Sequence, residues 1–168
     1  MQQLQITSAT RIGNREDAQT VAEWDWNDNE FPEGWYYLGE GAQRLVLLSP
    51  DGVVYKKEKP GEHQVNEDEF VNYFKASRIP VKNWRVPKTG LYVIGFEPVI
   101  AMEYVEGKYD IECRRYGVGF NEGCTCLQTP CTAWEWEKPT TLWDIIDLSE
   151  TNILIEEDGT RVLIDIVA

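Results

Sequence analysis

Three oxygen-bearing side chains near the C-terminal end of the sequence have the types and spacing of a cation site. Asp147 is followed by Asn152 five residues on, and by Asp165 thirteen residues after that. Between the last two lie the apolar runs Ile153-Leu154-Ile155 and Val162-Leu163-Ile164, separated by an acidic turn containing Asp158-Gly159. Two β-branched runs around a glycine turn read as a hairpin, which would bring Asn152 and Asp165 toward one end. Oxygens gathered in this way suit Mg²⁺, a hard ion that takes oxygen ligands and completes its shell with waters and phosphates. The competing reading is an acidic surface hairpin, the commoner use of a lone Asp and Asn.

Upstream stretches weigh in favour of the cation site. Gly39-x-Gly41 precedes a strand-like run, and glycines there let a backbone approach a bulky anion with its N–H groups exposed. Lys56 lies in a second run, beside Val54 and Tyr55. A strand lysine close to a glycine loop is placed to meet phosphate oxygens, although a solvated lysine on a strand face is commoner. Glu67 and Glu69 follow on a candidate helix, and either carboxylate could hold the Lys56 ammonium, each relieving part of the other's desolvation cost.

The elements that must position these groups are legible. Arg44 to Ser49 and Val53 to Lys57 read as strands joined by the turn Pro50-Asp51-Gly52. His63 to Lys75 has Phe70, Val71 and Phe74 at amphipathic-helix spacing, with Asn66 as the expected cap and Glu69 at the third helical position. Leu91 to Phe96 and Val99 to Met102 are expected strands, with Gly95 and Pro98 marking the break. Near the start, Asn14 and Asp17 form a capping pair for a short helix from about Glu16 to Trp24, with Ala18, Val21 and Ala22 at helical spacing. The polar-aromatic run that follows is expected to lie as a loop across the body, with Trp24 and Trp26 serving as cover or as a partner patch.

Composition narrows the function classes. The chain has 168 residues, 42% hydrophobic and 12% aromatic, enough for one domain with a real core. With 16 basic and 29 acidic residues its formal charge is -13, which repels nucleic-acid backbones and anionic membranes. No stretch approaches a membrane span, and MQQLQITSAT lacks the parts of a signal peptide, so the expected location is the cytoplasm, with no nucleic-acid or membrane partner. Cys124, Cys126 and Cys131 form C-x-C-x₄-C, which does not match paired zinc knuckles. With Cys113 they are expected to be reduced thiols, and the distant His63 would complete a zinc set only if the fold brought it close.

These stretches together resemble the ATP-binding core of the protein kinase-like superfamily. Leu38-Gly39-Glu40-Gly41 resembles the glycine-rich loop, and Val53-Val54-Tyr55-Lys56 the strand lysine motif. Met102 to Gly107 is similar to a gatekeeper and hinge, Asp147 to Asn152 to a catalytic loop, and Ile164 to Val167 to the cation-binding aspartate segment. The family's helix acid lies about ten residues before the loop after the helix, here Ile79-Pro80, which favours Glu69 over Glu67. The resemblance implies that amides around Gly39, Glu40, Gly41, Ala42 and Gln43 cover ATP phosphates, and that Lys56, paired with Glu69, contacts the α and β phosphates. It further implies that Met102, Glu103 and Val105 border adenine, that Asp147 orients the attacking hydroxyl, and that Asn152 and Asp165 hold Mg²⁺.

A narrower pattern runs from about residue 36 to the end: GEGAQR, VPKTGLYVIGF, RRYGVGF and DLSETNILIEEDGTRVLID. It is similar to the compact kinase-like domains of polyvalent proteins from phages and conjugative elements. The departures from the superfamily are specific. Arg44 replaces the third loop glycine, Ile145 and Ile146 replace the His-Arg pair, Ser149 stands where a lysine is usual, and Ile166-Val167 replaces Phe-Gly. The sequence stops three residues after Asp165, and residues 108–144 offer only a short helix, Asp110 to Tyr116, and a turn or two from Thr140 to Ile146.

The expected architecture is therefore an α+β, protein kinase-like fold. Residues 1–34 would be an N-terminal extension, 35–105 the N-lobe (an antiparallel sheet with one main helix) and hinge, and 106–168 a severely truncated C-lobe. Trp134, Trp136 and Trp143 would supply volume for its missing helices. The expected function is ATP- and Mg²⁺-dependent phosphotransfer to a hydroxyl acceptor. The alternatives are an inactive, pseudokinase-like nucleotide- or protein-binding module, with a partner completing or covering the reduced lobe, and a general acidic interaction protein.

Overall fold

Alternating apolar residues and glycine turns resolve into strands at most of the expected places. The computed structural model describes residues 12–25, 30–78, 84–109 and 153–164. In chain order the elements are helix α1 (Arg15–Glu23), strands β1 (Tyr36–Glu40), β2 (Arg44–Leu48) and β3 (Val53–Glu58), and helix α2 (Val65–Ser77). Then come β4 (Trp84–Arg85), β5 (Thr89–Ile94), β6 (Glu97–Glu103), β7 (Lys108–Tyr109), β8 (Ile153–Ile155) and β9 (Arg161–Leu163). Two helices and two sheets among the described residues make the architecture α+β. The chain divides into two compact units, Met1–Tyr73 with Pro87–Tyr104, and Phe74–Val86 with Val105–Ala168.

The first unit holds a five-stranded sheet in the order β1-β2-β3-β6-β5, antiparallel throughout. Its β2–β3 turn closes where the sequence places Pro50-Asp51-Gly52, with Ser49 N donating to Val53 O at 2.8 Å. Register then sorts the side chains, because successive residues of a strand point to opposite faces. Val46 pairs with Lys56 and Arg44 with Glu58, so these four share a face, while Leu45, Leu47 and Tyr55 share the other.

The face bearing Tyr55 is apolar and covered by α1. Ala18, Val21 and Trp24 pack there with Leu45, Leu47, Tyr55, Tyr92, Val99 and Ala101. Helix α1 begins as expected: Asn14 Oδ1 accepts from Asp17 N at 2.8 Å, and Glu16 and Asp17 lie in the first turn, where acids suit the helix dipole. Just before it, Gly13 has φ +79°, and a Cβ there would stand 2.7 Å from both Ala101 Cβ and Tyr55 Oη. Only glycine lets the backbone lie that close to the sheet. At the other end of α1, Lys57 Nζ donates to Ala22 O at 2.6 Å and Trp24 O at 2.7 Å, satisfying carbonyls that a helix terminus leaves open. Trp24 is cover rather than a partner patch: it is buried and its ring lies 5.2 Å from that of Phe31. Residues 15–24 are thus part of the sheet's own unit.

The expected break between β5 and β6 is present at Gly95 but is shorter than expected. Strand β6 begins at Glu97 and takes in Pro98, with the turn confined to Gly95-Phe96. Pro98 precedes Val99, the first β6 residue paired with β3, so its missing N–H falls where β6 has not yet joined that neighbour.

The second unit holds a four-stranded sheet, β4-β9-β8-β7, in which β4 runs parallel to β9 and the other pairs are antiparallel. The expected hairpin is β8–β9, with Ile153 opposite Leu163 and Ile155 opposite Arg161. In its turn Gly159 has φ +87° and Asp158 Oδ1 accepts from Thr160 N at 2.9 Å, a bond that holds the Asp158 carboxyl below its ordinary pKa. Val105, Leu154 and Val162 form a small core against Ile164, and Arg85 pairs with Glu156. Among the described residues no helix is long and apolar enough to cross a membrane. The expected helix 110–116, the segment 140–146, Trp26, Trp134, Trp136, Trp143 and the four cysteines lie outside the described residues.

Candidate functional site

The polar face of the first unit's sheet carries a set of buried charges. Lys56 sits mid-strand, with neighbours on both sides, and is only 4% exposed. Its Nζ donates to Glu69 Oε1 at 2.6 Å, and Glu69, on α2, is fully buried. Glu67, the other acid considered, is exposed. The second carboxylate oxygen of Glu69 faces Arg44 Nη1 as an ion pair, and Arg44 is itself 6% exposed. A buried carboxylate would cost several kcal/mol if left alone, about 3–5 kcal/mol when one partner of such a pair is removed.

Asn66 ties this set together. Its Nδ2 donates to Lys56 O and Pro98 O, both at 2.9 Å, and its Oδ1 lies 3.4 Å from Arg44 Nη1. Its backbone N–H donates to Glu58 Oε1 at 2.7 Å. This corrects the expectation that Asn66 caps the helix. Helix α2 starts two residues earlier than that cap implies, at Val65, after Gln64 with φ +65°, and the Asn66 side chain turns to the sheet instead of its own helix. Farther along α2, Tyr73 Oη donates to Met102 Sδ at 3.3 Å, fastening the helix to β6. The arrangement places a lysine ammonium at a fixed point on the sheet, paired and dehydrated.

The glycine turn lies between β1 and β2. The ladder shifts register between Tyr37 and Gly39, and Gly39 has φ +149°. A Cβ at Gly39 or Gly41 would meet nothing within 4 Å, so both backbones border open space. Glu40, Gly41, Ala42 and Gln43 are all exposed. The Gly41 N–H, however, donates to Arg44 O at 2.9 Å, and Gln43 O accepts from Lys59 N at 2.9 Å. Glu40 pairs with Lys59 at 2.7 Å. The turn is therefore open above and internally braced, with the Gly41 amide engaged inside it.

Around the expected hinge, Met102 is buried and Glu103 is still part of β6. Glu103 N donates to Lys88 O at 2.9 Å, while Glu103 Oε2 accepts from Lys88 N at 3.1 Å. Its amide is thus committed to the sheet edge. Val105 is packed in the core of the second unit. Asp147, Asn152 and Asp165 lie outside the described residues. Among the described residues no group of three His, Cys, Asp or Glu side chains is arranged to hold a metal ion, and His63 is exposed.

Sequence reading missed Arg44, Glu58 and Asn66 as members of the charged set. The signal was present in the β2–β3 hairpin: once the turn is fixed at residues 50–52, strand alternation puts Arg44 and Glu58 on the face of Lys56. The sequence matches no known protein-family model and no curated protein.

Proposed function

We propose that the chain is an ATP- and Mg²⁺-dependent phosphotransferase of protein kinase-like type, acting on the hydroxyl group of an unidentified acceptor. The observation that carries this reading is the buried Lys56–Glu69 pair joining a central strand to a helix, in a sheet whose first turn is the open Gly39-x-Gly41. Burial strips water from the ammonium, and the carboxylate keeps it charged and fixed in place. A compact cation so held suits phosphate oxygens, and phosphoryl transfer depends chiefly on alignment and charge compensation. Bound Mg-ATP would supply the transferable phosphoryl group. Lys56 would meet its phosphates, Asn152 and Asp165 would hold the cation, and Asp147 would orient the acceptor hydroxyl.

A second reading is a catalytically inactive kinase-like module that binds nucleotide or protein. It is favoured by the Gly41 amide, which is engaged within the turn, and by Arg44 in place of a third loop glycine. The test is thermal. Mg-ATP at about 100 times its dissociation constant should stabilise the chain by about 2.7 kcal/mol, and Lys56→Ala or Asp165→Ala should abolish the effect. No shift for the unmodified chain would remove both nucleotide readings. Radiolabel transfer lost in Asp147→Asn, with the thermal shift retained, would identify the enzyme; no transfer by the unmodified chain would leave the binding module.

A further inference from the structure

Glu69 has one negative charge and, among the described residues, two cations beside it: Lys56 from β3 and Arg44 from β2. Two cations on one carboxylate are more than a simple strand-to-helix tether requires. We infer that Arg44 is a positioning residue, the standing counter-ion that keeps Glu69 compensated and α2 seated when the Lys56 ammonium turns toward an anionic ligand. The inference deepens the phosphate reading of Lys56 and rests on it for the identity of that ligand.

Three observations support the assignment. Glu69 is fully buried, so a lysine that left it for a phosphate would strand a dehydrated charge unless a second cation stayed behind. A guanidinium suits that task, being charged at any working pH and presenting several donors in a rigid fork. Here a single guanidinium nitrogen, Nη1, faces the Glu69 carboxylate and lies 3.4 Å from Asn66 Oδ1, so Arg44 meets α2 at two residues. Finally, the Arg44 carbonyl accepts the Gly41 N–H that closes the glycine turn. One residue therefore braces the turn through its backbone and the helix through its side chain, and the turn cannot shift at Arg44 without disturbing the helix contact.

The test is a stability cycle on the full chain, read as melting temperature, with Lys56→Met, Arg44→Met, the double variant, and the double variant carrying Glu69→Gln. Either single change leaves Glu69 one cation and should lower the melting temperature by a few degrees. The double change leaves it none, and the further loss beyond the sum of the singles should be on the order of 10 °C. Glu69→Gln should recover most of that excess, because it removes the stranded charge at nearly constant shape. A double variant that fails to fold while the triple variant folds is the same result in a stronger form. Additive singles, or no recovery by Glu69→Gln, would overturn the role given to Arg44. In a second arm, Arg44→Met should lose more than half of the Mg-ATP-induced shift and Arg44→Lys should keep most of it; equal loss in both, or loss in neither, counts against the inference. Absence of any Mg-ATP shift in the unmodified chain refutes the phosphate reading, and the stability cycle still decides whether Arg44 compensates Glu69.

Discussion

The two faces of the five-stranded sheet are built from alternate residues of the same strands, yet only one of them carries a buried charge set. Toward α1 the contacts are Leu45, Leu47, Tyr55, Val99 and Ala101 against Ala18 and Val21. Toward α2, Val54, Ile100 and Met102 are buried as well, but among them stand Arg44, Lys56, Glu58, Asn66 and Glu69, joined by ion pairs and hydrogen bonds. Burying an apolar side chain gains about 1.5–3 kcal/mol without regard to direction. A buried charge set gains little over an apolar one of equal volume, but is costly to break and fixes where each group points. Both faces bury hydrocarbon, and only the α2 face also spends part of that stability to hold an ammonium in a defined place.

The comparison can be broken at four points. The largest effect should come from Glu69→Ala, which leaves Arg44 and Lys56 buried without their shared carboxylate; a loss of about 3–5 kcal/mol is expected in urea unfolding. Leu47→Ala, at a position 1% exposed on the apolar face, should cost about 3 kcal/mol through lost transfer energy and a cavity, with no charge dependence on neighbouring sites. If Glu69→Ala proves milder than Leu47→Ala, the ionic face is less demanding than its burial implies.

Lys57→Met is a smaller break. It removes the cation from two carbonyls at the end of α1 and should cost about 1 kcal/mol, seen as a lower urea midpoint with little change in slope. The smallest effect is a pH dependence at Tyr55. Burial first, and then nearby Asp17, raise its phenol pKa above the ordinary 10.0, although the Asn14 N–H bond opposes this. A raised folded pKa means a stabilising contribution that is complete below pH 10 and is lost as pH climbs beyond it. Tyr55→Phe should therefore lose less stability than the parent above about pH 10, and the gap between them should narrow there.

The sequence disclosed these two faces unevenly. The β2–β3 hairpin was legible because Pro50-Asp51-Gly52 names its own turn, and α1 because Asn14 and Asp17 name its start. Glu69 was distinguished from Glu67 only by counting back from Ile79-Pro80, and burial separates them: one is sealed, the other exposed. Taken locally, Arg44 is the residue that replaces a third loop glycine; its place beside Lys56 follows only from strand parity across the hairpin. Local rules make Asn66 a cap, because they assign a polar residue before an apolar run to its own helix. Its actual partners, Lys56 O and Pro98 O, lie on two strands that only the fold brings together. Composition could not foresee Pro98 inside β6, since its place depends on where β3 begins to pair.

Lys56 and Lys57 are neighbours in sequence but serve opposite sides of the sheet, one bound to Glu69 and the other to the end of α1. Were β3 to slide so that Lys57 met the carboxylate, Lys56 would take the place of Tyr55, opposite Leu47 and Ala101, with its charge among hydrocarbon. The doublet thus penalises that misalignment, because it exchanges two anchored cations for one buried in hydrocarbon. Lengthening the loop at Asp51 is tolerable, whereas a residue inserted within Val53–Glu58 scrambles both helices' anchors at once.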